Sequence, residues 1–393
     1  MKDIWEENPV TKKINRRTIK KASTIFLILL LIAVLVVLYV SNLQFREWAD
    51  VYILQKELER NDAAVIDYNS EANVEICAYD KYIGILSKNK FGIYNSSGKE
   101  ETSLDIPINN VIFSNSSRFL GIAENGGKKL FLVSGQTLLW ENKVEGNISK
   151  ICVNKNGYVA VVISDTSYKT VVSLYNPSGK ELFKIFLKAT RVADVSISND
   201  NKYLALAEID TTSSVIKSNI KIISIENAQT DTDNSFSFIH NANIGKLIIN
   251  IRYQDKNKLL CTYDDSIDMI QNNSNTELIN FSTRKVAFAS IELENGIAII
   301  EEKSSGLFTA DSEITFINID NQKETIYTTD DVTKEIYSCN DIIGLNLGSE
   351  LHFVNKGGWL VKRYIAGQEI SKVVLSESLA GIVYRDKIEI VSL

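Results

Sequence analysis

Three features of this 393-residue sequence predict an all-β fold, a β-propeller of about eight four-stranded blades, preceded by one N-terminal transmembrane helix. They are a basic N-terminal tail, one uninterrupted apolar run, and a repeat of roughly forty residues that continues to the last residue.

The tail, residues 1–21, carries Lys2, Lys12, Lys13, Arg16, Arg17, Lys20 and Lys21 against Asp3, Glu6 and Glu7, a net +4. The chain totals −6, which leaves −10 for everything beyond the tail. Residues 22–40 hold no charge and hardly a polar side chain. About 20 residues at 1.5 Å rise cross a hydrocarbon core of roughly 30 Å, and lipid leaves backbone groups no partner outside a helix. Residues 22–41 are therefore expected to form a retained transmembrane helix. A secretory signal has a shorter apolar core, about 7–15 residues, and ends in a small-residue cleavage site. Here the run is longer and gives way to Ser41-Asn-Leu-Gln44.

Basic flanks stay in the cytoplasm. The expected placement is thus a single-pass protein of the plasma membrane, with residues 1–21 cytoplasmic and the C-terminal domain extracytoplasmic. The acidic outer part argues against nucleic acid as a partner, because such binding rests on phosphate neutralisation. Residues 42–61 keep helical character: Trp48, Val51 and Leu58 share a face, and Tyr39, Phe45, Trp48 and Tyr52 suit an interfacial aromatic belt. They are read as a helical stalk.

In residues 62–393 the period changes. Short apolar runs bounded by Asn, Ser, Asp and Gly recur every 8–12 residues or so, as antiparallel strands and turns do. Tyr94-Asn-Ser-Ser-Gly-Lys-Glu100 returns as Tyr175-Asn-Pro-Ser-Gly-Lys-Glu181, and Val133-Ser-Gly-Gln-Thr137 holds the same place between them. Such turns use residues that tolerate positive φ. Units begin near Val74, Asn110, Ile148, Arg191, Ile244, Lys285 and Val332, with a partial one from Ile370 to Leu393. The partial unit has material for three strands, and residues 63–68 can supply the fourth, closing the ring and removing an open edge. Eight blades is the count; seven stays open because units five and six are irregular, and a pair of β-sandwiches is the competing architecture. The three prolines, Pro9, Pro107 and Pro177, sit outside strand interiors.

At these residues the chain resembles the quinoprotein-like and WD40-like propellers. In Val133-Ser-Gly-Gln-Thr-Leu-Leu-Trp140, Gly135 matches the turn glycine of quinoprotein repeats and Trp140 their blade-docking tryptophan, with Ser134 in place of a threonine. As a whole, the sequence is similar to an uncharacterised family of single-pass proteins from Gram-positive bacteria. That resemblance implies the architecture and brings no activity with it.

No constellation of chemistry stands out, so no catalytic, cofactor-binding or metal-binding residue and no cofactor is assigned. Cys77, Cys152, Cys261 and Cys339 lie in different units and are read as unpaired structural thiols. His240 and His352 are too few and too far apart in sequence for an evident metal or acid–base site. Asp231-Thr-Asp-Asn-Ser235 opens like a calcium loop but has Phe236 and Ala242 where glycine and glutamate belong. Asp264, Asp265 and Asp268, and Glu292, Glu294, Glu301 and Glu302, form acidic clusters read as solvated turn and strand faces. The expected function is non-enzymatic binding or scaffolding in the cell envelope, toward a protein or polymer partner, with the insertions at 210–220 and 228–236 as contributors. The alternative is an extracytoplasmic enzyme, a glycoside hydrolase or lyase or a quinoprotein, using carboxylates gathered at the mouth of the funnel.

Overall fold

The computed structural model describes residues 16–41, 45, 48, 49, 53, 63–68, 74–164, 167–212, 214–304 and 310–393. The chain divides into two compact units, Met1–Leu58 and Glu59–Leu393. In the first, the helix α1 (Arg16–Ser41) covers the apolar run. Its described side chains, residues 24–40, are almost all exposed, among them Phe26 at 67% and Val40 at 78%. Among the described residues, no helix is long and apolar enough to cross a membrane. Residues 1–15 and most of the stalk at 42–61 lie outside the described residues; within the stalk, Phe45 and Trp48 stack with ring centroids 5.5 Å apart, and the Ile53 amide donates to the Ala49 carbonyl as in a helical turn.

The second unit is a ring of eight antiparallel sheets of four strands each. Blades 1 to 7 occupy residues 74–105, 111–143, 147–187, 190–241, 248–280, 286–329 and 335–365. Blade 8 takes three strands from residues 372–392 and its fourth from Ala64–Asp67. That strand pairs with Lys387–Ser392 in the register Ala64↔Ile390 to Asp67↔Lys387, so the end of the chain is tied to the start of the domain. The count is eight, and the seven-blade and sandwich alternatives fall.

The first strand of each blade contacts the first strand of the next around most of the ring, which places these strands about the axis. The reason for a closed ring lies in the core. Eight apolar clusters are described, and each joins two consecutive blades: Phe91 with Leu120, Leu132 with Val161, Leu174 with Leu206, and so on to Ile83 with Ile388, which joins blade 1 to blade 8. A single blade therefore has nowhere to bury its faces except against its neighbours. Leaving any junction open would return one cluster to water.

The repeated turn motif closes the outer hairpins of blades 1, 3 and 7 by the same means. The side-chain oxygens of Asn95, Asn176 and Asn355 accept from amides two and four residues further on, and Gly98, Gly179 and Gly358 supply the positive φ that follows. Trp140 docks as its resemblance implies. It lies in the outer strand Thr137–Lys143 of blade 2, and its indole Nε1 donates to the Pro177 carbonyl in the blade 3 turn at 3.1 Å. A Cβ on Gly179 would sit 2.8 Å from Trp140 Cγ, at a backbone φ of +82°. Gly179→Ala is therefore expected to destabilise the domain by about 2 kcal/mol, combining left-handed strain with displacement of the indole; urea denaturation followed by tryptophan fluorescence reads the loss.

Candidate functional site

Where the first strands end, residues from six blades surround a recess on the axis. Asp80, Ser116, Arg252, Glu292, Asn340 and Glu377 come from blades 1, 2, 5, 6, 7 and 8, around a volume of about 90 Å³. Arg252 and Glu292 form an ion pair, and the Asn340 amide donates to Glu377. Carboxylates do gather at one mouth, as the enzymatic alternative requires. Of these, Glu292 is ion-paired to a guanidinium, whereas Glu377 accepts from a neutral amide and keeps its charge. The recess also falls well below the roughly 300–1,000 Å³ of a small-molecule site.

Polar side chains near the axis stitch blades together. Asp194, in the strand Thr190–Ile197 of blade 4, is 7% exposed. Its Oδ1 accepts from the Val195 amide at 2.8 Å and lies 2.8 Å from Lys150 Nζ of blade 3. Its Oδ2 accepts from the Ile251 amide of blade 5, also at 2.8 Å. Ser196 likewise accepts from the Tyr253 amide at 2.9 Å, and Gln254 donates to the Ile291 carbonyl at 2.6 Å while accepting from the Asn295 amide. First strands diverge between blades, so these side chains satisfy amides and carbonyls that no ladder reaches.

The residues weighed in the sequence resolve individually. All four cysteines are free. Burial pushes the Cys152 thiol up to about 12 and the Cys339 thiol up to about 11, and raises Cys77 and Cys261 further, which suppresses the thiolate that nucleophilic or ligand chemistry needs. Asp268 is buried, with Lys246 Nζ at 3.1 Å, and the same ammonium lies 3.7 Å from Asp265 and 3.5 Å from Glu277. Asp264 accepts from the Leu247 amide at 2.8 Å. That cluster is a structural clamp around one lysine. Asp231 is closed by its own loop, accepting from the amides of Asp233 and Asn234 and from the Asn234 side chain; that side-chain bond is the main cause holding its carboxyl below the usual range. Glu301 and Glu302 lie in the long strand Gly296–Ser304. Among the described residues, no group of three or more His, Cys, Asp or Glu is placed to hold a metal ion.

His352, itself buried, belongs to a partly buried network at the edge of blades 6 and 7. The Tyr327 hydroxyl bonds its Nδ1 at 2.8 Å, Glu350 Oε1 lies 3.3 Å from its Nε2, and Arg363 donates to the other oxygen of Glu350 at 2.5 Å. Burial is the main cause lowering the pKa of His352, opposed by Glu350, and burial also lowers His240. Each imidazole thus binds its proton less readily folded than unfolded. Their contribution is complete above the unfolded value near 6.5 and is lost as pH falls below it. The double substitution His240→Gln and His352→Gln is expected to flatten the stability-versus-pH curve just below pH 6.5, as read by urea midpoints in a pH series.

The two insertions lie on opposite rims. Residues 211–216 join the second and third strands of blade 4, whereas residues 225–235 join its third and fourth, with the strand Lys217–Ser224 running between them. They do not form one surface. The second includes a short helix, α2 (Ile225–Ala228), capped by Ser224.

Comparison with solved structures agrees on the fold. The chain is similar to the C-terminal WD40 domain of Sif2 (13% identity, 84% of this chain and 98% of that one, TM-score 0.52). It is also similar to Sqt1 of Chaetomium thermophilum bound to the N-terminus of ribosomal protein L10 (10% identity, 85% and 100%, TM-score 0.52). A third likeness is to the dihydro-heme d1 dehydrogenase NirN (12% identity, 83% and 72%, TM-score 0.51). No curated protein matches the sequence. Residues 56–393 match the model of a family of unknown function, DUF5711, and the chain belongs to that family.

Proposed function

We propose that this protein is a membrane-anchored, extracytoplasmic β-propeller that acts as a non-enzymatic binding or scaffold protein of the cell envelope. The observation that carries this reading is the axial mouth: six blades converge there, yet the recess is about 90 Å³ and its arginine is already paired. A funnel of that kind suits a rigid frame better than a reaction chamber, and leaves recognition to the rims, where loops on a fixed scaffold present side chains. The exposed apolar surface of α1 and the basic tail support the plasma membrane as the surface that takes up the helix, with the N-terminus cytoplasmic. The partner would be an envelope protein or polymer, and not nucleic acid. The likeness to WD40 domains supports only the fold, since propellers host many functions.

Crosslinking in intact cells, followed by affinity purification, tests the reading. Full-length chain is compared with a version holding residues 1–61 alone. Envelope partners recovered only with the full chain support binding by the propeller; recovery of the same set with both versions, or of none, rejects it.

A further inference from the structure

We infer that the cleft between blades 3 and 4 is a binding site for an anionic saccharide, a sugar ring bearing carboxylate or phosphate. The cleft encloses about 560 Å³, within the roughly 300–1,000 Å³ of small-molecule sites and far larger than the axial recess. Its walls come from two repeats. The turn of blade 3 brings Asn176 and Lys180; the start of the second strand brings Tyr158 in blade 3 and Tyr203 in blade 4; Lys202 and Gln229 complete the rim.

The chemistry on these walls is complementary to a sugar acid. Tyr158 and Tyr203 are half-buried and line the cleft, Tyr158 packed on the core between blades 3 and 4 and Tyr203 on that between blades 4 and 5; such amphipathic rings suit the C–H face of a pyranose. Asn176 spends its amide oxygen on its own turn, accepting from the amides of Ser178 and Lys180, which leaves its NH₂ as the donor. Gln229 spends its NH₂ on the Ile225 carbonyl at 3.2 Å, which leaves its oxygen as the acceptor. A hydroxyl-bearing ligand uses one of each.

Charge then selects an anion. Lys180 and Lys202 are exposed; Lys202 reaches Asp200 only at 3.9 Å. Glu226 is the one carboxylate among the lining residues, and Asp200, the ion-pair partner of Lys202, lies beside the rim, so Lys180 is the lysine most available to a ligand. Ammonium groups bind carboxylate and phosphate as point charges and tolerate either. Leu182 and Ile225 are the only aliphatic side chains among the lining residues.

This inference names a ligand class for the binding reading above and rests on it. The test is calorimetric titration of the full chain in neutral detergent with a hexamer of galacturonate, with glucose 6-phosphate, and with maltohexaose as the uncharged control. The expected result is binding of one or both anionic ligands that weakens as salt rises, at least ten-fold tighter than maltohexaose. Lys180→Ala with Lys202→Ala should weaken it ten-fold or more with an unchanged thermal midpoint, since both lysines are exposed, and the double arginine variant should restore it. The two anionic arms tell carboxylate from phosphate. Equal binding of maltohexaose, no binding of any ligand at millimolar concentration, or indifference to the alanine pair overturns the site. Failure here with envelope partners still captured by crosslinking sinks the saccharide site alone. Loss of capture with saccharide binding intact sinks the scaffold reading.

Discussion

Replacing Asp194 with alanine is expected to lower the stability of the propeller by about 3 kcal/mol, the largest effect of any single side chain considered. One carboxylate holds three blades together: Lys150 from blade 3, its own strand through Val195, and Ile251 from blade 5. Truncation leaves two buried amides without an acceptor, at about 1–3 kcal/mol each for a group that stays dry. Lys150 suffers less, because its side chain is 40% exposed and can return to water. Asp194→Asn keeps an acceptor for one amide and should fall between the two. Urea midpoints for wild type, Asn and Ala, in that order, are the prediction; an alanine variant within about 0.5 kcal/mol of wild type would show that the contacts are dispensable.

The second large effect is expected on deleting residues 63–68. That segment contributes the outer strand of blade 8, packs Ala63 and Ala64 into the clusters on either side of the blade, and brings the Tyr68 hydroxyl to the Tyr384 carbonyl. Four paired positions are lost, and at about 1 kcal/mol per hydrogen bond the direct cost is about 4 kcal/mol. The strand Lys387–Ser392 becomes an unpaired edge, open to pairing with another chain. Limited trypsin digestion should then cut first near Lys387, and light scattering should report association. Val65→Ser, at a side chain already half exposed, is the control and should do neither.

The architecture was legible because repetition writes it many times. Unit starts read at Val74, Asn110, Ile148, Arg191 and Lys285 fall at or next to the first strands that begin at Val74, Val111, Asn147, Thr190 and Val286. The Ile244 and Val332 starts came a few residues early, before strands that begin at Ile248 and Glu335. Ile244 shows why: it is apolar, yet it lies in a connection and is 80% exposed, and hydrophobicity alone cannot separate a strand residue from an exposed one. Trp140 was readable from a local motif, the turn glycine Gly135 with an indole five residues on, as in quinoprotein repeats.

The sites were not legible in the same way. The axial mouth takes one residue or a few from each of six blades, so no local pattern announces it. Asp194 left a trace, a lone acid in the run Val192-Ala-Asp-Val-Ser-Ile197. Tyr158 and Tyr203 left another, standing just before and at the start of equivalent strands of consecutive units. Neither trace says that the neighbouring wall carries Lys180, which only the ring brings alongside.

The placement of the propeller is tested most directly by protease accessibility. Full-length chain with one epitope at each end is treated with proteinase K in intact cells stripped of their wall. The account predicts that the membrane fraction holds the protein, that the C-terminal epitope and propeller fragments are digested from outside, and that the N-terminal epitope survives until the membrane is permeabilised. A C-terminal epitope protected until permeabilisation, or a protein recovered in the soluble fraction, would contradict it.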